Sequence, residues 1–565
     1  MKKDVIVLGI HDGHNSGAAL VKNGKVIAAI SEERLRNIKN YSGTPELAIK
    51  EVFKIAKIDP QDVDLIAIAS LMRTHPPLVE EPLFVKSYRK IVPYIHGHWF
   101  SKMYVSILHK LRKMAELKEI FKDLKIEDKE ITFIEHHHAH AACAYYQRPW
   151  EDNTLVLTFD GSGDGVSSSV NIGDNFKIKR ISWSVSYNSV GNNLYSEITG
   201  YLGLKRWEHE YKVMGLAPFG RPEYCIDKIR RIIRIHPKRP LEFQNTIRAY
   251  TVDIQKKLRK LLAEERFDNI ASACQKYYEE LLIQWVKNCI KETGIRKLVC
   301  AGGMFLNVKA NKLIRELEEV EDVFFYPPAG DEGTPVGAAL EAYYRYCERE
   351  AITPKKHPFG DLYYGREFDN DYFKFVIEKK GWLNKAIYTE SIAEEIASLI
   401  AKGKIIAAFW GRDEFGPRAL GNRSIVADPR DLRVISKLNF AIKQRDFWMP
   451  FAPSILEEKI EDYLISPHPA RYMVEAFDTK DKAEEIIVGL HQADRTCRPQ
   501  TVNEWNPRWR KLIESFQDLT GVSGIVNTSF NLHGYPIVGS PEIAVETFEN
   551  SGLDGLALGN WLILK

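Results

Sequence analysis

The stretch "EHHHAHAACAYY", residues 135–146, holds four of the chain's 16 histidines within five positions. In a helix, residues four apart share a face, so His136 and His140 can both reach one ion. Two imidazoles do not complete a metal shell, and carboxylates would have to finish it and set its hardness. Asp160 in "FDGSGDG" and Asp331 in "AGDEG" are the candidates. The plainer reading of the histidines is a polar helix start with solvated or capped rings. Both aspartates, however, fall at the ends of strand patterns, where an α/β architecture points its ligand loops. Two His and two Asp suit Fe(II), Mn(II) or Zn(II), and the donor set does not choose among them. His137 and His138 are read as supporting or surface residues.

A second kind of chemistry is suggested by "AGGMFLN", which directly follows a strand pattern. Gly302 and Gly303 would let a phosphate or ribose approach the backbone before a helix begins, although a tight strand-to-helix turn explains them as well. Gly330 and Gly333 frame Asp331 and Glu332 ahead of another helix pattern. Together the two loops read as a nucleotide clamp.

These residues need elements to hold them. At 565 residues the chain exceeds a single core, which stops growing near about 250–300 residues, so two or three domains are expected. "DVIVLGI", "GAALV", the turn "KNG" and "KVIAAIS" read as strand, loop, strand, turn, strand. The order returns in "NTLVLTFD", "GSGDG", "VSSSVNI", "GDN" and "FKIKRISWSV", so two related α/β halves are expected to face one another with ligands between them. Residues 72 to 130 are basic, aromatic and helical in period, and are read as an insertion whose plainest role is a solvated face. Helices are expected at 253–294 and from 309. "REAITPKKHPFGD", rich in Pro and charge, reads as a linker, after which an α+β domain with strands "KIIAAFW" and "GIVNTSF" begins.

The seven cysteines are scattered and never spaced C-x-x-C, against a disulfide framework or a thiolate zinc site and in favour of a reducing, cytoplasmic setting. The amino-terminal apolar run is too short for a signal segment, and no stretch reaches the roughly 18 apolar residues of a membrane span. A net charge of +3 is small for this length, so an anionic ligand must be met by a local cluster, and nucleic acid is not expected as a partner.

Ordered motifs along nearly the whole chain resemble one family. They are "SEERLRNIK", "HHHAHAACA", "TFDGSGDG", "EYKVMGLAPFG", "AGGMFLN", "PPAGDEGTPVGAAL", "GRDEFGPRALGNRSIVADPR", "PFAPSIL" and "VNTSFNLHGYPIV". The chain is similar to O-carbamoyltransferases that act in nodulation-factor and antibiotic biosynthesis. The resemblance implies an α/β actin-like ATPase domain made of two RNase H-like halves over residues 1–350, with 72–130 as a variable insertion. A linker at 351–361 and an α+β, YrdC-like domain over 362–565 would follow. It implies that His136, His140, Asp160 and Asp331 hold a metal, iron in first place, beside ATP with its magnesium. Carbamoyl phosphate and ATP would give carbamoyl adenylate in the second domain, and the carbamoyl group would pass to a hydroxyl acceptor with release of AMP.

For the anionic donor the second domain offers Arg418, Arg423, Lys443, Arg445 and Arg498, with Asn527 and Ser529 adding neutral hydrogen bonds. Guanidinium forks suit phosphate oxygens, while ion pairs with Asp428, Asp431 and Asp446 are the plainer use of those arginines. His14 and Lys39 resemble the family's amino-terminal catalytic positions, with His11 competing for the role of His14. Lys212 and Asn307 join Gly302, Gly303 and Glu332 as nucleotide contacts. Met449 stands where relatives often carry Arg, and Tyr535 where they commonly carry Glu. The rival readings are a small-molecule kinase, which would release ADP, and a non-catalytic nucleotide or nucleic-acid binder. The acceptor is not legible, and a homodimer is compatible with the chain.

Overall fold

A computed structural model describes residues 4–72, 99–250, 252–443 and 446–565. Residues 73–98 of the basic stretch and Arg445 therefore lie outside the described residues, as does the side chain of Lys443. The backbone divides into two compact units, Met1–Glu32 with Asn40–Gly360, and Glu33–Lys39 with Asp361–Lys565. Two details differ from the sequence reading. The seven residues Glu33–Lys39 pack with the carboxy-terminal unit. The Pro-rich stretch before Asp361 stays with the first unit, because its backbone finds partners there: Phe359 N donates to Gln147 O (2.8 Å) and Lys355 N to the Tyr343 hydroxyl (3.0 Å).

In the first unit, β1 (Ile6–His11), β2 (Gly17–Lys22), β3 (Lys25–Ser31), β4 (Leu65–Ala69) and β5 (Glu130–Ile134) form a sheet ordered β3-β2-β1-β4-β5. A second sheet contains β6 (Thr154–Gly163), β7 (Val166–Asp174) and β8 (Lys177–Val185), with β11 (Lys297–Ala301) and β12 (Asp322–Phe325) added on its other side. Between them in sequence, β9 (Ile233–His236) and β10 (Arg239–Asn245) pair only with each other. Read from its antiparallel edge, the second sheet runs β8-β7-β6-β11-β12, which repeats the first order, and in both the meander is antiparallel and the last three strands are parallel. The expected duplication is thus borne out.

Turn chemistry fixes both meanders. Asn23 (φ 51°) and Gly24 (φ 81°) link β2 to β3, and Asp164 (φ 51°) and Gly165 (φ 81°) link β6 to β7. Two successive left-handed residues are the requirement of a tight hairpin with right-twisted strands, which explains Asn-Gly and Asp-Gly there.

The carboxyl ends of β1, β4 and β5 and of β6, β11 and β12 carry the loops of interest. Helix His136–Tyr145 follows β5, and helix Thr334–Arg349 follows β12. These helices pack closely enough that a Cβ on Gly337 would lie 1.9 Å from Ala139 O, and one on Gly9 of β1 would lie 2.0 Å from Pro335 O. Ala139, Ala141, Ala142 and Ala144 are fully buried, so the alanine-rich run records a helix that must lie flush against its neighbours.

The second unit is built on one mixed sheet: β13 (Ala386–Tyr388), β14 (Ile406–Phe409), β15 (Arg423–Ala427), β16 (Ala452–Leu456), β17 (Gln500–Val502), β18 (Gly524–Ser529), β19 (Gly555–Leu558) and β20 (Trp561–Leu564). Its order is β13-β20-β19-β14-β15-β18-β16-β17. Alternate residues of β14 serve opposite cores. Ile406 and Ala408 pack with helices Ile392–Ala401 and Pro507–Thr520, while Ala407 and Phe409 pack with helices Asn370–Lys379 and Pro541–Glu549. All seven cysteines are buried thiols outside any disulfide. Among the described residues no helix is long and apolar enough to cross a membrane.

Gly337→Ala should destabilise the protein by about 1–3 kcal/mol, because the methyl group has no room against Ala139 O. Gly360→Ala, with open space around it, should fall within about 0.5 kcal/mol of the parent. Urea denaturation of the two variants checks the pair, and equal midpoints would contradict the close-packing argument.

Candidate functional site

Helix His136–Tyr145 is started by two carboxylates. Glu135 accepts from His138 N (2.8 Å), and Asp164, from the β6–β7 turn, accepts from His136 N (2.8 Å). Asp164 also accepts from Leu71 N and Met72 N after β4 (2.8 and 2.7 Å), so one side chain ties the ends of three strands together. With its start fixed, the helix turns His136 and His140 toward the same point, their Nε2 atoms 3.1 Å apart.

Two aspartates complete that point. The β6–β7 ladder slips between Phe159 and Gly163, a bulge that re-aims Asp160 at the end of its strand. Asp160 Oδ2 lies 3.4 Å from His136 Nε2, and Asp331 Oδ1 lies 3.4 Å from both His136 Nε2 and His140 Nε2. One donor atom from each of the four residues lies within 4.8 Å of the others, and all four residues are buried. Metal bonds to His nitrogen and carboxylate oxygen are roughly 2.0–2.2 Å long, so donors gathered this closely, and of these types, fit a single ion. The four residues paired in the sequence reading are brought together.

The surroundings orient these four side chains. Ser70 Oγ is hydrogen-bonded to His136 Nδ1 (2.9 Å), and Gly303 N donates to Asp160 Oδ1 (2.9 Å). A side chain on Gly163 would collide with the His136 ring, so the end of β6 must be glycine. Burial disfavours a charge on His136, but Asp331 and Asp160 outweigh it and raise its pKa to about 9. Burial would likewise raise the Asp160 carboxyl, yet the His136 hydrogen bond and the neighbouring rings hold it below its ordinary value. Asp331 is also lowered: burial acts against this, and the charge of His136 prevails. For His137, burial dominates and pushes its pKa down to about 3. Its ring is used internally, with Nε2 donating to Val166 O (3.0 Å) and Nδ1 bonded to the Thr158 hydroxyl (2.7 Å). His138 Nε2 lies 2.9 Å from Glu341 Oε1.

Between the two amino-terminal histidines the geometry is unequal. His11 is fully buried, 3.8 Å from Asp331 Oδ2, and donates from Nε2 to His14 O (3.0 Å), while its Nδ1 has no hydrogen-bond partner among the described residues. Burial pushes its pKa down to about 4 despite Asp331, so the ring is neutral near pH 7. His14 is half-buried with its ring 6.2 Å from that of Trp207. Lys39 lies half-buried in the segment that packs with the second unit.

Sequence reasoning missed Lys113. Its ammonium is 1% exposed, 2.7 Å from Asp12 Oδ1, and it donates to Ser70 O (2.7 Å). It therefore braces the residue that orients His136. A helical lysine in "LHKLRKM" has the signature of a solvated face, and only its spatial partners distinguish it. Ser70 carries a weak signal of its own, a left-handed backbone (φ 69°) at a non-glycine residue.

The nucleotide candidates are in varied settings. Gly302 has φ 108°, and a Cβ there would lie 2.3 Å from Phe159 O, so the backbone itself demands glycine. Asn307 caps helix Val308–Arg315 by accepting from Ala310 N (3.1 Å), and exchanges hydrogen bonds with Gln275. Glu332 and Lys212 are buried in the first unit.

In the second unit, Arg418 lies half-buried in the loop between β14 and β15. The backbone on its carboxyl side is held by two amides: Asn527 donates to Ala419 O (3.1 Å) and Gln500 to Leu420 O (2.9 Å). Asn527 also donates to Gln500 Oε1 (3.0 Å), and Arg498 lies two residues before Gln500. The backbone following Arg418 is thus tied to the side chains of Asn527 and Gln500. Arg423 is engaged differently. It is fully buried, donates to the carbonyls of Trp410, Asn422, Arg366 and Gly411, and stacks over Phe409 at 3.7 Å. Ser529 donates to Asn531 Oδ1 (2.6 Å).

With this geometry established, comparison with known proteins is specific. Family models described as Carbamoyltransferase N-terminus and Carbamoyltransferase C-terminus match residues 6–340 and 397–565. An uncharacterized protein of Synechocystis is 31% identical over 98% of this chain and 95% of its own. Nodulation protein NolNO of Sinorhizobium fredii is 30% identical over 98% of this chain and 79% of its own. A 3'-hydroxymethylcephem-O-carbamoyltransferase of Amycolatopsis lactamdurans is 25% identical over 76% and 81%.

A proton held on His136 up to pH about 9 competes with a cation for the same nitrogen. Divalent metal should therefore bind the metal-free protein more tightly as pH rises from 6.5 toward about 9 and change little above it, releasing about one proton from this ring per ion at pH 7.5. Titration calorimetry in two buffers of different ionisation enthalpy measures that release. A pH-independent affinity over this range would remove His136 from the ligand set.

Proposed function

This chain belongs to the carbamoyltransferase family, and we propose that it is an ATP-dependent O-carbamoyltransferase working in two half-reactions. It is a transferase. In the first half-reaction carbamoyl phosphate loses phosphate to water, and the resulting carbamate attacks the α-phosphorus of ATP, giving carbamoyl adenylate and pyrophosphate. In the second, an acceptor hydroxyl attacks the carbamoyl carbon, its proton leaves, and AMP departs with the bonding electrons. The observation that carries the reading is the buried His136, His140, Asp160 and Asp331 cluster in a chain matched by both family models.

The first half-reaction brings together two anionic substrates and is assigned to the second unit. Arg418 and Arg498 would hold phosphate oxygens through guanidinium forks, with Asn527 and Ser529 as neutral donors. Lys443 and Arg445 are carried over from the family motif as further cations. The hydrogen bonds of Arg423 to four carbonyls support a different part for it, holding the strand entry that follows the Arg418 loop.

The second half-reaction is assigned to the first unit. Iron is the metal proposed there, held by the four-residue cluster, and a bound divalent ion would supply Lewis acidity toward a hydroxyl or a developing negative charge. His11 is neutral near pH 7 with an unpartnered ring nitrogen, which supports it, ahead of His14, as the group that receives the acceptor's proton. Gly302 permits close approach of a nucleotide to the backbone, and Lys212 and Glu332 are proposed beside it. The acceptor is proposed only as a hydroxyl compound, the chemistry in the printed name of the cephem enzyme.

Purified protein should release pyrophosphate from ATP only when carbamoyl phosphate is present, and the nucleotide product after transfer should be AMP. ADP as product, or equal turnover without carbamoyl phosphate, would overturn this function. Asp331→Ala should lower bound metal and carbamoyl transfer while pyrophosphate release stays within about threefold of the parent, as expected for a residue used in only one half-reaction.

A further inference from the structure

The segment Glu33–Lys39 leaves one compact unit for the other and returns. Glu32, the residue before it, stays with the first unit, where its carboxylate accepts from Ala48 N (2.7 Å) and Leu47 N (3.2 Å) at the start of helix Glu46–Ala56. Two residues later Arg34 is 3% exposed within the second unit. Its Nη2 donates to Gly416 O (2.9 Å), and its Nη1 is 3.8 Å from Asp413 Oδ1, with Asp413 itself 1% exposed. The backbone on the other side is equally tight: a Cβ on Gly539 would lie 2.0 Å from Arg34 O.

Gly416 stands two residues before Arg418. The far side of the same loop is held by Glu414, one of whose oxygens accepts from Leu420 N (2.8 Å), Asn422 N (2.8 Å) and Arg423 N (3.1 Å). The loop therefore has a fixed base, and at its tip a charged donor, Arg34, holds the Gly416 carbonyl. That donor comes from a part of the chain 382 residues away.

We infer that Arg34 is a positioning residue for the first half-reaction, fixing the Gly416–Arg418 turn so that Arg418 presents its guanidinium to carbamoyl phosphate. The inference rests on the assignment of Arg418 made above. Arg34 acts through a backbone carbonyl, that of Gly416. The "SEER" motif then has a role apart from the transfer chemistry of the unit it leaves.

The test uses the full-length protein with Arg34→Met, which keeps packing but removes the donors, and Arg34→Lys, which restores one donor and the charge. In the pyrophosphate assay Arg34→Met should raise KM for carbamoyl phosphate by about tenfold or more with a smaller change in kcat, and Arg34→Lys should recover part of the loss. Bound metal should equal the parent in both. Hydrogen exchange, which needs no activity, should quicken in the peptide covering residues 411–423 of Arg34→Met while the first unit keeps its protection. Parental KM, or parental exchange in that peptide, would overturn the inference. So would a general loss of protection and of metal, which would make Arg34 a stability residue only. If the parent protein itself released no pyrophosphate, the proposed function would fall, and the exchange data alone would uphold or overturn the brace.

Discussion

Two carboxylates that repel one another are held beside two imidazoles in a buried site, and the first unit is organised around making that tolerable. Left unpaired, buried charges are strongly unfavourable, so Asp160 and Asp331 need cationic company, whether a proton on His136 or a metal ion. That company is useful only if the four side chains cannot drift apart. The helix bearing His136 and His140 is therefore seated by Gly337 and Gly9 without clearance and started by Asp164, while a bulge in β6 sets the angle of Asp160. Loops following β1, β4, β5, β6, β11 and β12 supply the site or its supports, which is why a duplicated sheet suits it: each half delivers three strand ends.

Much of this could be read from the residues. Asn-Gly and Asp-Gly turns between alternating strands announced the repeated meander, because two left-handed positions in succession are expensive for other residue types. The H-x-x-x-H spacing and the strand-end aspartates identified the cluster, since helical period and strand termini are both local properties. The supports were not legible. Lys113 resembles any solvated lysine until Asp12 and Ser70, far away in sequence, are placed around it. His11 and His14 differ by three positions, and only burial against Asp331 separates them. Likewise Arg418 and Arg423 share one motif, yet one lies in a loop and the other opens β15, where its hydrogen bonds go to carbonyls. Sequence motifs mark where arginines cluster; strand register decides which of them can meet a ligand.

The two units handle charged side chains by contrasting means. Around the cluster, charge is concentrated among buried groups, so each neighbour changes the protonation of the next. In the second unit precision comes from backbone: Asn527 and Gln500 hold the carbonyls of Ala419 and Leu420, and Glu414 gathers three amides. One arrangement tunes proton affinity; the other tunes shape.

The seven-residue excursion of Glu33–Lys39 has a temporal consequence. A ribosome delivers Arg34 long before Gly416, and at about 5–20 residues per second the interval over the 382 residues between them is roughly 20–75 s. During that time the amino-terminal strands can assemble, but this short segment must wait, its guanidinium still in water. Folding of the second unit is then the event that recruits it, so a later part of the chain finishes a contact begun by an earlier one.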